Sequence, residues 1–322
     1  PVIIDPVIID GTTQPGFAGS PIIELDGTNA GPLASGLSIT AGGSTVRGLV
    51  VNRFRGSGII LSGAGGNVVK GNYIGTDASG NTALANGLEG VFISASGNLI
   101  GGTTVGDRNV ISGNGRSGVN LEGSGATKNR VYGNFIGTNA TGTAALGNIH
   151  FGVRMVVGAS DNVIGGTQAG ARNVISGNGL AGVQIATSGT TGNLVQGNRI
   201  GVAVDGNTAV PNGLGGVDIG AGAQGNTVGP GNLISGNKYG GVVMAGSGTD
   251  GNRVIGNSVG LKADGTALGN ATGFGIAISG GAEKNRVGGT TPGTRNVISG
   301  NASAGIAIQG GHNNLIRGNY IG

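Results

Sequence analysis

The stretch GVNLEGSGATKNRVYGNFIG, residues 118–137, holds three short apolar runs separated by glycine and asparagine. Val119 and Leu121, then Val131, then Ile136 are its candidates for burial, and their alternation with other residues marks short strands with one face inward. Helical spacing is sustained nowhere. The opening phrase is Gly, aliphatic, any residue, aliphatic; it begins again at Gly36, Gly58, Gly90, Gly152, Gly182, Gly216, Gly241, Gly275 and Gly305. The closing phrase GNFIG (133–137) returns as GNYIG (71–75 and 318–322), GNRIG (197–201) and GNSVG (256–260), with starts 62, 64, 59 and 62 residues apart. Three strands in each interval of about 30 residues, every one recurring in the same direction, exclude hairpin pairing. The strands must stack in parallel, coil upon coil.

Composition agrees with a folded, turn-rich chain. Of 322 residues 76 are glycine, charged residues make up 10% and hydrophobic ones 37%, which is too apolar for disorder. The repeat makes the whole chain one domain, 1–322, with atypical first coils over 1–35 and regular coils over 36–322. A net charge of +4 spread over this length makes a weak field, so no nucleic-acid partner is expected. No run of about 18 apolar residues is present to insert into a membrane. Cysteine is absent, which excludes disulfides and thiolate metal sites.

The phrases NVISGN (109–114, 173–178, 296–301), NLISGN (232–237) and IGGT (100–103, 164–167) resemble right-handed parallel β-helix repeats of the pectin-lyase-like superfold. They are similar in particular to GNYIGTD/NVISGN arrays in large bacterial surface or secreted proteins. The resemblance implies an all-β, single-stranded solenoid of about 11–12 coils with three parallel sheets, and an extracellular or cell-surface location. That superfold hosts lyases, hydrolases, epimerases, adhesins and inert spacers, so function has to come from the residues.

Two kinds of coil alternate to make the period of about 62. One carries a loop after its third strand (74–87, 136–148), and the next carries GGTTVGDR (101–108) or GGTQAGAR (165–172) before NVISGN. Asn67, Asn98, Asn129, Asn162, Asn193, Asn226, Asn252, Asn285 and Asn314 precede the second strand of successive coils. A second set follows glycine at the next corner: Asn72, Asn134, Asn198, Asn257 and Asn319, together with Asn114, Asn178, Asn237 and Asn301. An amide both donates and accepts, so asparagines stacked about 4.8 Å apart are expected to form ladders.

Chemistry is sparse along this rod. The outward row of the first strand reads Ser38, Ile60, Phe92, Asn120, Arg154, Gln184, Asp218, Val243, Ala277 and Ala307, and its best catalytic candidates are Asn120, Arg154, Gln184 and Asp218. Paired carboxylates, a histidine dyad and lyase or galacturonan-hydrolase motifs are not found, so an enzyme is not the first expectation. His150 and His312 read as solvated turn residues. Tyr73, Phe135 and Tyr320, in a row with Arg199 and Ser258, are the candidates for stacking on a glycan. No cofactor is expected; Asp77, Asp205 and Asp264, at similar places in the corner loops, raise calcium, although turn formation accounts for them better. Sequons at Asn139, Asn270 and Asn301 fit export.

The chain opens PVIIDPVIIDG and closes NLIRGNYIG in full register. Either it is a piece of a longer array or its ends meet other copies head to tail, which without closure makes a filament. The first expectation is therefore a non-catalytic extracellular structural or surface protein with copies of itself as partners. The alternative is a polysaccharide lyase or hydrolase, or a glycan-binding adhesin.

Overall fold

A computed structural model describes all 322 residues. The 33 strands fall into three sheets of 11, and in each sheet every strand pairs in parallel with its counterpart three strands on, so the chain climbs through 11 coils. Coil 1 holds Val2–Ile3, Ile8–Asp10 and Ile23–Asp26; coil 5 holds Val119–Glu122, Arg130–Tyr132 and Phe135–Ile136; coil 11 holds Ile306–Gln309, Leu315–Ile316 and Tyr320–Ile321. Sheets 1, 2 and 3 below are those of the first, second and third strands.

The core follows from the alternation. Leu121 of coil 5 stands in register with Ile93 below and Met155 above, and all three are fully buried. The inward positions of coils 2–10 are buried in the same way, and 43 residues join in one apolar column; in coils 1 and 11 they are only partly covered. Within the sheets each coil pairs only with its neighbours, and the column ties them into one body.

Asparagine ladders hold all three corners. In the first, the Asn129 N–H and Nδ2 both donate to Asn162 Oδ1 at 2.9 Å, and the pattern runs through the nine residues from Asn67 to Asn314 named above. The second set divides. Asn72, Asn134, Asn198, Asn257 and Asn319 alternate with Asn109, Asn173, Asn232 and Asn296 between the second and third strands. Asn114, Asn178, Asn237 and Asn301 instead alternate with Asn86, Asn148, Asn212 and Asn270 between the third strand and the next coil. The expected single set thus merged two corners. NVISGN spans a whole third strand, so its first asparagine turns one corner and its last turns the next. Asn270 is fully buried in that ladder, which corrects its reading as an accessible sequon.

Sheet 3 carries a roof. After coils 3, 5, 7 and 9 the chain makes a small hairpin closed by the antiparallel pairs Thr76–Ala83, Thr138–Ala145, Val202–Ala209 and Leu261–Ala267. The hairpins join to one another: the Ala140 N–H donates to the Gly80 carbonyl at 2.9 Å, Val204 to Gly142 at 2.8 Å and Ala263 to Gly206 at 3.0 Å. Two-coil spacing therefore builds a continuous column over one sheet. This column gives the 62-residue period a structural purpose.

Candidate functional site

With sheet 3 roofed, sheet 1 is the face that carries the row of polar candidates; Asn120 is 1% exposed, while Arg154, Gln184 and Asp218 are half-buried. Its outward row is in register from Phe92 through Asn120, Arg154, Gln184 and Asp218 to Val243, so the four candidates stand on coils 5–8 in one line. Arg154 Nε donates to Gln184 Oε1 at 3.1 Å, and Arg154 Nη1 lies 3.5 Å from Glu122 Oε2. Asn120 Nδ2 donates to the same oxygen at 3.0 Å. Glu122 was not among the expected residues. It lies two places beyond Asn120, which puts it on the same side of the strand, but just outside the four-letter phrase that defined the row.

A second line runs beside the first, in the turn that enters each strand. The N–H of Arg116 donates to the Leu88 carbonyl at 3.0 Å, His150 to Arg116 at 3.0 Å, Leu180 to His150 at 2.8 Å and Leu214 to Leu180 at 3.0 Å. The signal for it is two letters before each phrase: Leu88-Glu89 before GVFI, Arg116-Ser117 before GVNL, His150-Phe151 before GVRM. Glu89 is 6% exposed; its carboxylate accepts from Ser57 Oγ at 3.3 Å and sits 3.9 Å from Arg116 Nη1. Glu89, Arg116, His150, Phe151, Arg154 and Gln184 are among the residues around a recess of roughly 460 Å³. His150, read from the sequence as a solvated turn residue, is exposed but lines this recess.

Asp218 is different from its row. It is half-buried, and its carboxylate has neither a hydrogen-bond donor nor a cation within ion-pair distance. Burial pushes its carboxyl up to about 6. A folded-state value above the unfolded one means that the folded chain holds the extra proton, so stability is greatest below about pH 4 for this group and falls as pH rises through about 6. Asp218→Asn is therefore expected to stabilise the protein by about 1–2 kcal/mol at pH 8, a figure reduced for partial exposure, and to change nothing at pH 3.5. Denaturant titrations at the two pH values check this; equal effects at both would remove the buried charge as the cause.

The other candidates are placed elsewhere. Tyr73, Phe135, Arg199, Ser258 and Tyr320 do share the outward row of sheet 3. Phe135, however, is 3% exposed beneath the hairpin that Gly142 belongs to, so it presents no ring to a glycan. Asp77, Asp205 and Asp264 sit on separate hairpins and hold their own turns. Asp205 accepts from the Asn207 and Thr208 N–H groups at 2.8 and 3.1 Å, and Asp264 from Thr266 N and Oγ1 at 2.8 and 2.7 Å. These bonds lower both carboxyl pKa values. Asp77 does the same with Ser79, Asn81 and Thr82, so each of the three closes its own turn. No three His, Asp or Glu side chains converge as a metal site would need.

No protein-family model matches this chain, and no curated protein does. Among solved structures it is similar to the A-module of the mannuronan C-5 epimerase AlgE6 of Azotobacter vinelandii. That match has a TM-score of 0.62 and 20% identity, over 92% of this chain and 71% of that one. The chain is a right-handed parallel β-helix. This β-helix is also similar to the Dettilon tailspike protein (TM-score 0.49, 19% identity, 95% and 61% covered) and to the pectate lyase Pel9A (0.38, 12%, 99% and 70%). At 20% identity the likeness to the epimerase module is one of fold, and fold alone does not carry an activity.

Proposed function

We propose that this β-helix binds a polysaccharide along sheet 1, outside the cell or at its surface. The observation that carries the reading is the recess bounded by Arg116, His150 and Arg154, continuous with the line Arg154, Gln184 and Asp218. Planar amide, carboxylate and guanidinium groups pair well with neighbouring sugar hydroxyls, and the half-exposed Phe92 and Phe151 add ring surface beside them. Coils rise by about 4.8 Å, close to one sugar unit, so a linear glycan parallel to the axis meets equivalent positions coil after coil. The epimerase likeness supports the reading, since that protein's name assigns it a polysaccharide, mannuronan.

Affinity electrophoresis against polyuronates and neutral glucans tests it. The native chain is expected to be retarded by at least one glycan, and Arg154→Ala to weaken that binding by about 10-fold or more. Arg253→Ala, on sheet 2, serves as the control and leaves it unchanged. Absence of binding throughout the panel, or equal loss in both variants, overturns the reading.

Asp218 favours a second reading, in which a base raised toward neutral pH takes the proton beside a uronate carboxylate. Release of unsaturated or C-5-inverted product, lost in Asp218→Asn while binding persists, would support it. Two-carboxylate hydrolysis is poorly served: Glu122 and Asp218 stand three coils apart, about 14 Å, against the roughly 5–9.5 Å that mechanism uses. The head-to-tail filament expected from the sequence draws no support from the fold, and the present reading does not need it.

A further inference from the structure

The column of hairpins on sheet 3 covers a repeated device. Arg108, from the insertion before the third strand of coil 4, donates Nε to the Gly133 carbonyl at 3.2 Å and lays its guanidinium 4.2 Å from the centre of the Phe135 ring. Arg295 similarly lies over Tyr320, at 5.2 Å. Arg172 is the counterpart in coil 6, and it donates Nε to the Gly197 carbonyl at 3.0 Å. Gly197 precedes Arg199 by two residues, as Gly133 precedes Phe135. Arg172 is thus held over the position where a ring belongs, and that position is occupied by a second arginine.

A third cation joins them. Lys262, from the hairpin after coil 9, borders the same recess of roughly 300 Å³ together with Arg172, Arg199, Gly231 and Ser258. The segment before the third strand of coil 8 is only GPGN (229–232), so no insertion fills the space. None of the six ion pairs in the chain uses Arg172, Arg199 or Lys262. Asp205 offsets part of the charge on Arg199 from beyond ion-pair distance, while its oxygens accept from Asn207 and Thr208 of its own turn. Burial, and then the charge of Arg172, lower the pKa of the half-buried Arg199. Three cations outside any ion pair, with one carboxylate near them, leave an excess of positive charge around a partly desolvated recess, and a bound anion turns their repulsion into charge-assisted hydrogen bonds.

We infer that Arg172, Arg199 and Lys262 form an oxyanion site for a sulfate- or phosphate-type group, either free or esterified to a sugar. The site lies on sheet 3, so it stands independently of glycan binding on sheet 1. Its volume is at the lower end for small-molecule pockets.

The chain itself supplies the variant for the test. Arg199→Phe places at coil 7 the ring that coil 5 carries at Phe135, under Gly206 as Phe135 lies under Gly142. It is expected to fold and to restore a cation–ring stack with Arg172. Thermal unfolding at constant ionic strength, with sulfate or phosphate replacing chloride, should raise the native midpoint by roughly 2 °C or more. The rise should vanish in Arg199→Phe and shrink in Lys262→Ala, a change confined to a surface hairpin. A sulfated monosaccharide acting at lower concentration than inorganic sulfate, with its unsulfated counterpart inert, would identify the ester as the source; equal potency would identify the free ion. No rise in the native chain, or an equal rise in Arg199→Phe, overturns the inference.

Discussion

Asn162→Ala is expected to destabilise the β-helix by about 4 kcal/mol, among the largest effects of any single side chain. The Oδ1 of Asn162 accepts from both the N–H and the Nδ2 of Asn129 at 2.9 Å, and its Nδ2 donates to Asn193 Oδ1 and to the Ala126 carbonyl, each at 2.9 Å. All these groups are buried, so alanine leaves two donors of Asn129 without partners where water does not reach, while the Ala126 carbonyl keeps the Ser160 N–H. Each such orphan costs about 1–3 kcal/mol. Asn207→Ala, which removes a single exposed bond of 3.3 Å, should stay within about 0.5 kcal/mol. Denaturant unfolding measures both, and hydrogen exchange at the Asn129 amide locates the damage. If Asn129 remains as protected as before, the ladder is ornamental to stability and the aliphatic column alone holds the coils.

The second large effect is Gly165→Ala, expected to cost about 3 kcal/mol or more. Gly165 has φ +78°, which charges a side chain about 1–2 kcal/mol in strain. A Cβ there would also come within 2.1 Å of Asn198 Oδ1 and 2.3 Å of the Gln196 carbonyl, so the second ladder must move. Gly43 separates the two contributions: its φ is +74°, but a Cβ on it meets nothing within 4 Å. Gly43→Ala should therefore lose only the strain, about 1–2 kcal/mol. Similar losses at both positions would mean that the backbone conformation, and not the close approach to the ladder, fixes glycine at this corner.

Much of the site was legible because stacking makes register additive. Aligning the phrases that begin at Gly118, Gly152, Gly182 and Gly216 places Asn120, Arg154, Gln184 and Asp218 on one line, and the backbone pairing agrees residue by residue. Glu122, Glu89, Arg116 and His150 escaped because they lie just outside the four-letter apolar phrase, at offsets before or after it that the aligned row does not include. The isolation of Asp218 was also hidden. A carboxylate's partners depend on which side chains reach it across coils, and Gln184 turns instead toward Arg154.

The repeat by itself determined the parallel coil, the inward aliphatics, the first asparagine ladder and the alternation of loops. These depend only on contacts between a residue and its equivalents one coil away, and the sequence writes those equivalents at recognisable intervals. Tertiary structure alone decided what the loops cover. Hairpins two coils apart join into a roof that buries Phe135 and covers sheet 3 except at recesses such as the one beside Arg199, while sheet 1 carries no such roof. It also decided that Arg172 meets a second arginine where Arg108 meets a ring. Such pairings join residues from different corners and different coils, and no period in the sequence connects them.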